Sequence, residues 1–139
     1  MYAVIDTNVI VSALLARDRM TSVPFRVFKA VFEGKITPVL TKAIISEYVE
    51  VLHRPKFGFD KRKVKLLLTE LKEMSIIVEP QHSNAELPDN KDVCFYEAAL
   101  SFVEQGCLLI TGNLKHFPNC PIAITPAEFV KRFGNEFSK

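Results

Sequence analysis

Short apolar runs alternate along the chain with longer stretches in which apolar residues return every three or four positions. Residues 2–5 form the first run and read as a buried strand, followed by a helix over residues 9–16 that Asp6, Thr7 or Asn8 can cap. After a polar link (Arg17, Asp18, Arg19), Pro24 suits the first turn of a second helix ending at residue 33, with Val27, Phe28, Val31 and Phe32 on one face and Gly34 closing it. Residues 36–40 predict a second strand. Thr41 then caps a helix over 42–52, with Ile44, Ile45, Tyr48, Val49 and Leu52 as its stripe, and Pro55 and Gly58 break the chain. Asp60 caps a fourth helix over 61–74, and residues 76–78 predict a third strand. A polar loop over 80–88 leads through Asp89 and Lys91 into a fifth helix that the pattern carries through Glu104, with Gly106 as its end. The unbroken apolar run 107–110 suits the middle of a parallel sheet. A turn at Thr111-Gly112-Asn113, a strand at 122–124 and a helix over 126–133 complete the chain. Alternating strands and helices predict one doubly wound α/β domain spanning residues 1–139, with no repeat, low-complexity tract or linker.

Composition adds limits. The chain of 139 residues is 48% hydrophobic and 24% charged, which is enough for a true core. A formal charge of +2 is too mild to argue for nucleic-acid binding by itself. Cys94, Cys107 and Cys120 are odd in number and have no paired spacing, and His53, His82 and His116 lack zinc-ligand spacing. These features predict free thiols, no structural zinc and a soluble, cytoplasmic protein without a signal peptide. The apolar run over 9–16 is far too short to span a membrane.

The acids carry the candidate chemistry. Asp6 follows the first strand directly, and functional groups in open α/β sheets gather at the carboxyl ends of strands. Glu47 lies in the third helix. Asp89 and Asp92 are three residues apart at the start of the fifth helix, and Asn113 follows the fourth strand. If the first and fourth strands are neighbours, Asp6 and Asn113 meet in one crevice, and the fifth helix can reach it. Hard oxygen ligands of this kind suit Mg²⁺ or Mn²⁺ and phosphodiester hydrolysis. Plainer readings stand beside this one. Asp6 could be only a helix cap, Glu47 a solvated acid, Asp89 and Asp92 partners of the helix dipole, and Asn113 a turn residue. Lys56, Lys61, Arg62, Lys63 and Lys65 could steer RNA, but a solvated helix face explains them more simply.

Four blocks in order, Ala3-Val4-Ile5-Asp6-Thr7-Asn8, Ser46-Glu47-Tyr48-Val49-Glu50-Val51-Leu52, Asp89-Asn90-Lys91-Asp92 with Phe95-Tyr96-Glu97-Ala98-Ala99, and Leu109-Ile110-Thr111-Gly112-Asn113-Leu114-Lys115-His116-Phe117, resemble the PIN domain family. Their order and spacing are similar to the VapC-like branch, the toxin components of bacterial toxin–antitoxin pairs. The resemblance implies a three-layer α/β/α fold with a mostly parallel sheet of about five strands. It also implies a Mg²⁺- or Mn²⁺-dependent endoribonuclease with an RNA substrate, an antitoxin partner and a homodimeric state. Asp6, Glu47 and Asp92 match the three core acids, Asp89 an auxiliary ligand, and Thr7, Asn8 and Thr111 residues that orient the acids. Read from their place after the turn, Lys115 and His116 could contact a phosphate, and His116 could equally be a surface histidine. Asn113 stands where many members carry a fourth acid, so the site can hold a second ion less firmly. A catalytically weakened module of the same fold, binding RNA or protein, is the alternative. A phosphoacceptor domain fits poorly, because Asp6 lies on the first strand and Lys115 is four residues past Thr111.

Overall fold

Residues 1–80, 82–83 and 86–137 are described by a computed structural model, residues 136–137 by their backbone only. Gln81, Asn84 and Ala85, within the segment expected to be a loop, lie outside the described residues, as do Ser138 and Lys139.

Eleven elements follow in order: β1 (Tyr2–Ile5), α1 (Thr7–Leu15), α2 (Val23–Phe32), β2 (Thr37–Leu40), α3 (Lys42–Leu52), α4 (Lys61–Met74), β3 (Ile76–Ile77), α5 (Val93–Leu100), β4 (Leu108–Ile110), β5 (Ala123–Ile124) and α6 (Pro126–Phe137). Short 3-10 turns occupy Pro55–Phe57, Asn90–Asp92, Val103–Gln105 and Leu114–His116. The five strands form one sheet in the order β3-β2-β1-β4-β5, and every pairing is parallel. With helices on both faces, this is the three-layer α/β/α architecture. Ala3, Val4 and Ile5 pair with Leu108, Leu109 and Ile110. Ala3, Val4, Leu109 and Ile110 are all 0% exposed, which accounts for the unbroken apolar runs: a central parallel strand is covered on both sides.

Local chemistry sets the helix starts. The Thr41 hydroxyl accepts from the Ile44 amide at 3.2 Å, and Asp60 accepts from the amides of Arg62 and Lys63 at 2.9 and 3.1 Å. Ser22 does the same for Phe25, with Pro24 in the first turn of α2. Most boundaries fall within two residues of expectation, and two differ by four. The fifth helix does not run through Glu104; α5 stops at Leu100. Phe102 leaves helical geometry (φ −129°, ψ 19°), and its ring packs edge-on against Tyr2 with centroids 4.8 Å apart. Packing against β1 therefore overrides the helical pattern. α6 runs past the expected end at residue 133, because Gly134 stays helical.

One contact fixes α3 against the sheet. The buried Tyr48 hydroxyl donates to the Ile5 carbonyl, immediately before Asp6. A buried phenol needs such a partner, and here the partner lies at the end of β1. Tyr48→Phe is expected to destabilise the fold by about 1–2 kcal/mol, read as a lower urea midpoint with an unchanged slope.

Candidate functional site

Chain order reverses between β1 and β4, so their carboxyl ends border a natural crevice. Asp6 is the first residue beyond β1, and its amide donates to the Ile110 carbonyl at 2.9 Å. Thr111 is the first residue beyond β4, and its hydroxyl donates to Asp6 Oδ2 at 2.7 Å. The same hydroxyl oxygen accepts from the Asn113 amide at 3.1 Å. A second stitch joins the two strand ends, with the Gly112 amide donating to Asn8 Oδ1 at 3.1 Å. Asp6 occupies the cap position of α1, where the amides of Thr7 and Asn8 favour its charge without a well-formed capping hydrogen bond. Thr111 holds that carboxylate toward the crevice instead.

Asp92 closes the 3-10 turn that feeds α5. Its Oδ2 lies 2.9 Å from His116 Nδ1, a contact that favours the charged carboxylate. Asp6 and Asp92 are only 5% and 7% exposed, so their charges are poorly solvated. Burial raises the Asp6 carboxyl above its ordinary value, against the Thr111 hydrogen bond and the amides of Asn8 and Thr7. Asp92 is pushed up to about 6, first by burial and then by repulsion from Asp6, with His116 pulling the other way. The Thr7 hydroxyl oxygen is also buried, with no hydrogen-bond partner among the described residues.

These groups line a cleft of about 350 Å³ together with Asn8, Val11 and Ser12 of α1, Glu47 and Val51 of α3, and Arg54 and Phe57 just beyond it. Positions 8, 11 and 12, and again 47, 51 and 54, share a helix face, which brings them to one groove. The Cys94 thiol reports on the acids' neighbourhood. It is pushed up to about 12 by burial, then by Glu47, Asp92 and Asp6 in turn, and this leaves it protonated and inert.

The remaining sequence candidates sit at the margin of the cleft or outside it. Asp89 is exposed, and its carboxylate accepts from the Lys91 amide at 2.9 Å, so it caps the turn, although its charge still reaches Asp92. Asn113 is half-buried and does not line the cleft; Lys115 is exposed on the turn after β4. Sequence reasoning missed Ser12, Arg54 and Phe57. Arg54 could have been found from its seven-residue spacing to Glu47, which is two helical turns.

For a divalent cation the acids offer the right chemistry, hard carboxylate oxygens, with His116 Nδ1 close to Asp92 Oδ2. As placed, no group of three or more acid, histidine or cysteine side chains among the described residues is gathered to hold an ion. Asp6 repels Asp92, and Glu47 lines the same cleft.

Linkage gives a testable sign. Between the ordinary value of 3.8 and about 6, the native Asp92 keeps a proton that the unfolded chain has released. Stability therefore falls as pH rises through that window and stays lower above it. Asp92→Asn is expected to raise Tm by roughly 3–5 °C near neutral pH, with the gain shrinking toward about pH 4. Thermal melts across that range would check it.

The family model for the PIN domain matches residues 2–115, and the chain belongs to the PIN domain family. Searches of curated proteins and of solved structures returned no match. The PIN domain is in general a nuclease fold that acts on nucleic acid with divalent metal ions. Among the described residues, no helix is long and apolar enough to cross a membrane.

Proposed function

We propose that this PIN domain is a Mg²⁺- or Mn²⁺-dependent endoribonuclease, with Asp6, Glu47 and Asp92 as the acids that would hold the ion. The observation that carries the reading is the pair of buried, mutually repelling carboxylates Asp6 and Asp92 in a cleft that Glu47 also lines. Like charges kept this close in a poorly solvated place call for a cation. A bound ion would supply a water of lowered pKa and a counter-charge for the phosphate. Thr111 orients Asp6 through its hydroxyl, and Asn8 ties the two strand ends together. The Thr7 hydroxyl, without a partner among the described residues, would donate to a phosphate oxygen or a water. His116, beside Asp92, is suited to contact the phosphate, with Lys115 as a more distant cation. Asp89 and Asn113 would act from outside the cleft, through charge or a held water.

The toxin role rests on the order and spacing of the four sequence blocks, and it brings with it a cognate antitoxin and a homodimer. Growth arrest on expression, relieved by the product of an adjacent reading frame, would test it. A second reading, a weakened module that binds RNA or protein, is favoured by Asn113 in place of a fourth acid and by the absence of a three-ligand cluster among the described residues.

Asp6→Asn, Glu47→Gln and Asp92→Asn are each expected to slow Mn²⁺-dependent cleavage of RNA on the order of 100-fold or more. Thr111→Val should cost about 10- to 100-fold. Circular dichroism should remain unchanged in all four. Wild-type cutting by Asp6→Asn would refute the assignment, and no saturable Mn²⁺ binding would favour the second reading.

A further inference from the structure

The cleft does not end at the acids. Glu47, Val51 and Arg54 follow one face of α3 and its extension, roughly 10 Å along the helix axis, and Phe57 lines the same groove. Arg54 is held in place rather than free to wander. Its Nε and Nη2 donate to Glu50 at 3.1 and 2.8 Å, while Nη1 makes no hydrogen bond among the described residues. Phe57 is held as well. Gly58 adopts φ +64°, which turns the chain so that Phe59 stacks on Phe57 with centroids 5.6 Å apart and planes 17° from parallel. The exposed Lys56 ammonium lies 5.0 Å from the centroid of the Phe57 ring.

A half-buried, braced aromatic ring finishes this acidic groove, with one cation against it and a second lining the same cleft. A purely packed phenylalanine would need neither cation. A carbohydrate or an apolar peptide would use the ring but not the cations. A polynucleotide uses both, because each base offers a π-face and each linkage an anion. Duplex geometry keeps bases stacked on one another, so only an unpaired strand can present one to the ring.

We infer that Arg54, Lys56 and Phe57 form a nucleotide subsite next to the cutting position: Phe57 stacks one unpaired base, and Arg54 and Lys56 take the neighbouring phosphates. This rests on the nuclease reading above and assigns to it the residues that would hold the strand beside the cut. Lys56 moves off the ring to a phosphate when a base arrives, and Arg54 uses the donors that Glu50 leaves free.

The test is fluorescence anisotropy on the whole chain, with Ca²⁺ supplied and Mg²⁺ and Mn²⁺ withheld. Three probes of equal length are compared: single-stranded RNA, the same sequence as a duplex, and an abasic ribose-phosphate strand. The wild type is expected to prefer the single strand by at least about 5-fold over the other two. Phe57→Leu, which keeps apolar bulk without a π-face, should lose that preference, and Phe57→Tyr should retain it. Arg54→Gln should weaken binding to every probe and lower the salt dependence. The inference is overturned if Phe57→Leu discriminates as the wild type does, or if the wild type treats the probes alike or binds none. Cleavage with Mn²⁺, measured separately, keeps the two ideas apart. Base-dependent binding without cleavage sinks the nuclease reading alone, while cleavage indifferent to Phe57 sinks this subsite alone.

Discussion

The Thr111 hydroxyl donating to Asp6 across the β1–β4 seam is the contact on which the site depends. It exists because two strands distant in sequence run side by side and parallel, so that their carboxyl ends finish level. The same seam carries the Asp6 amide bond to Ile110 and the Gly112 bond to Asn8. An acid at the tip of a lone strand would be free to cap the helix that follows. Here the neighbouring strand turns its carboxylate into the crevice.

That arrangement sets stability against function. Burial raises the proton affinity of both carboxylates, Asp6 raises that of Asp92 further, and His116 offsets only part of this. Most of the surrounding structure spares the chain such conflicts: apolar strands are covered on both faces, and buried hydroxyls such as that of Tyr48 find carbonyls. Among the described residues, the two buried acids and the Thr7 hydroxyl share this one cleft, as expected where a ligand of opposite charge belongs. The cleft then grades from acidic at the strand ends to aromatic and cationic at Phe57 and Arg54, a sequence of surfaces that suits an extended anionic chain with bases.

Much of the fold was legible because its determinants are local. Buried strands need apolar runs, and amphipathic helices need spaced stripes; Thr41 and Asp60 announce their helices through hydrogen bonds three residues or fewer away. The end of α5 was not legible. Residues 101–104 continue the helical pattern, but the Phe102 ring finds a better partner on β1, and that partner is about a hundred residues away in the chain.

The same division holds for the site. Residue type and position by themselves determined that Asp6 stands at a strand end, that Asp92 precedes a helix, and that the donors are hard oxygens. Only the tertiary structure decided that Asp6 and Asp92 act on each other, that Asp89 caps a turn, and that Arg54 and Phe57 share the acids' groove. The reason is physical: periodicity reports which face of an element is buried, while charge repulsion, desolvation and shared clefts depend on distances between elements that no local pattern encodes.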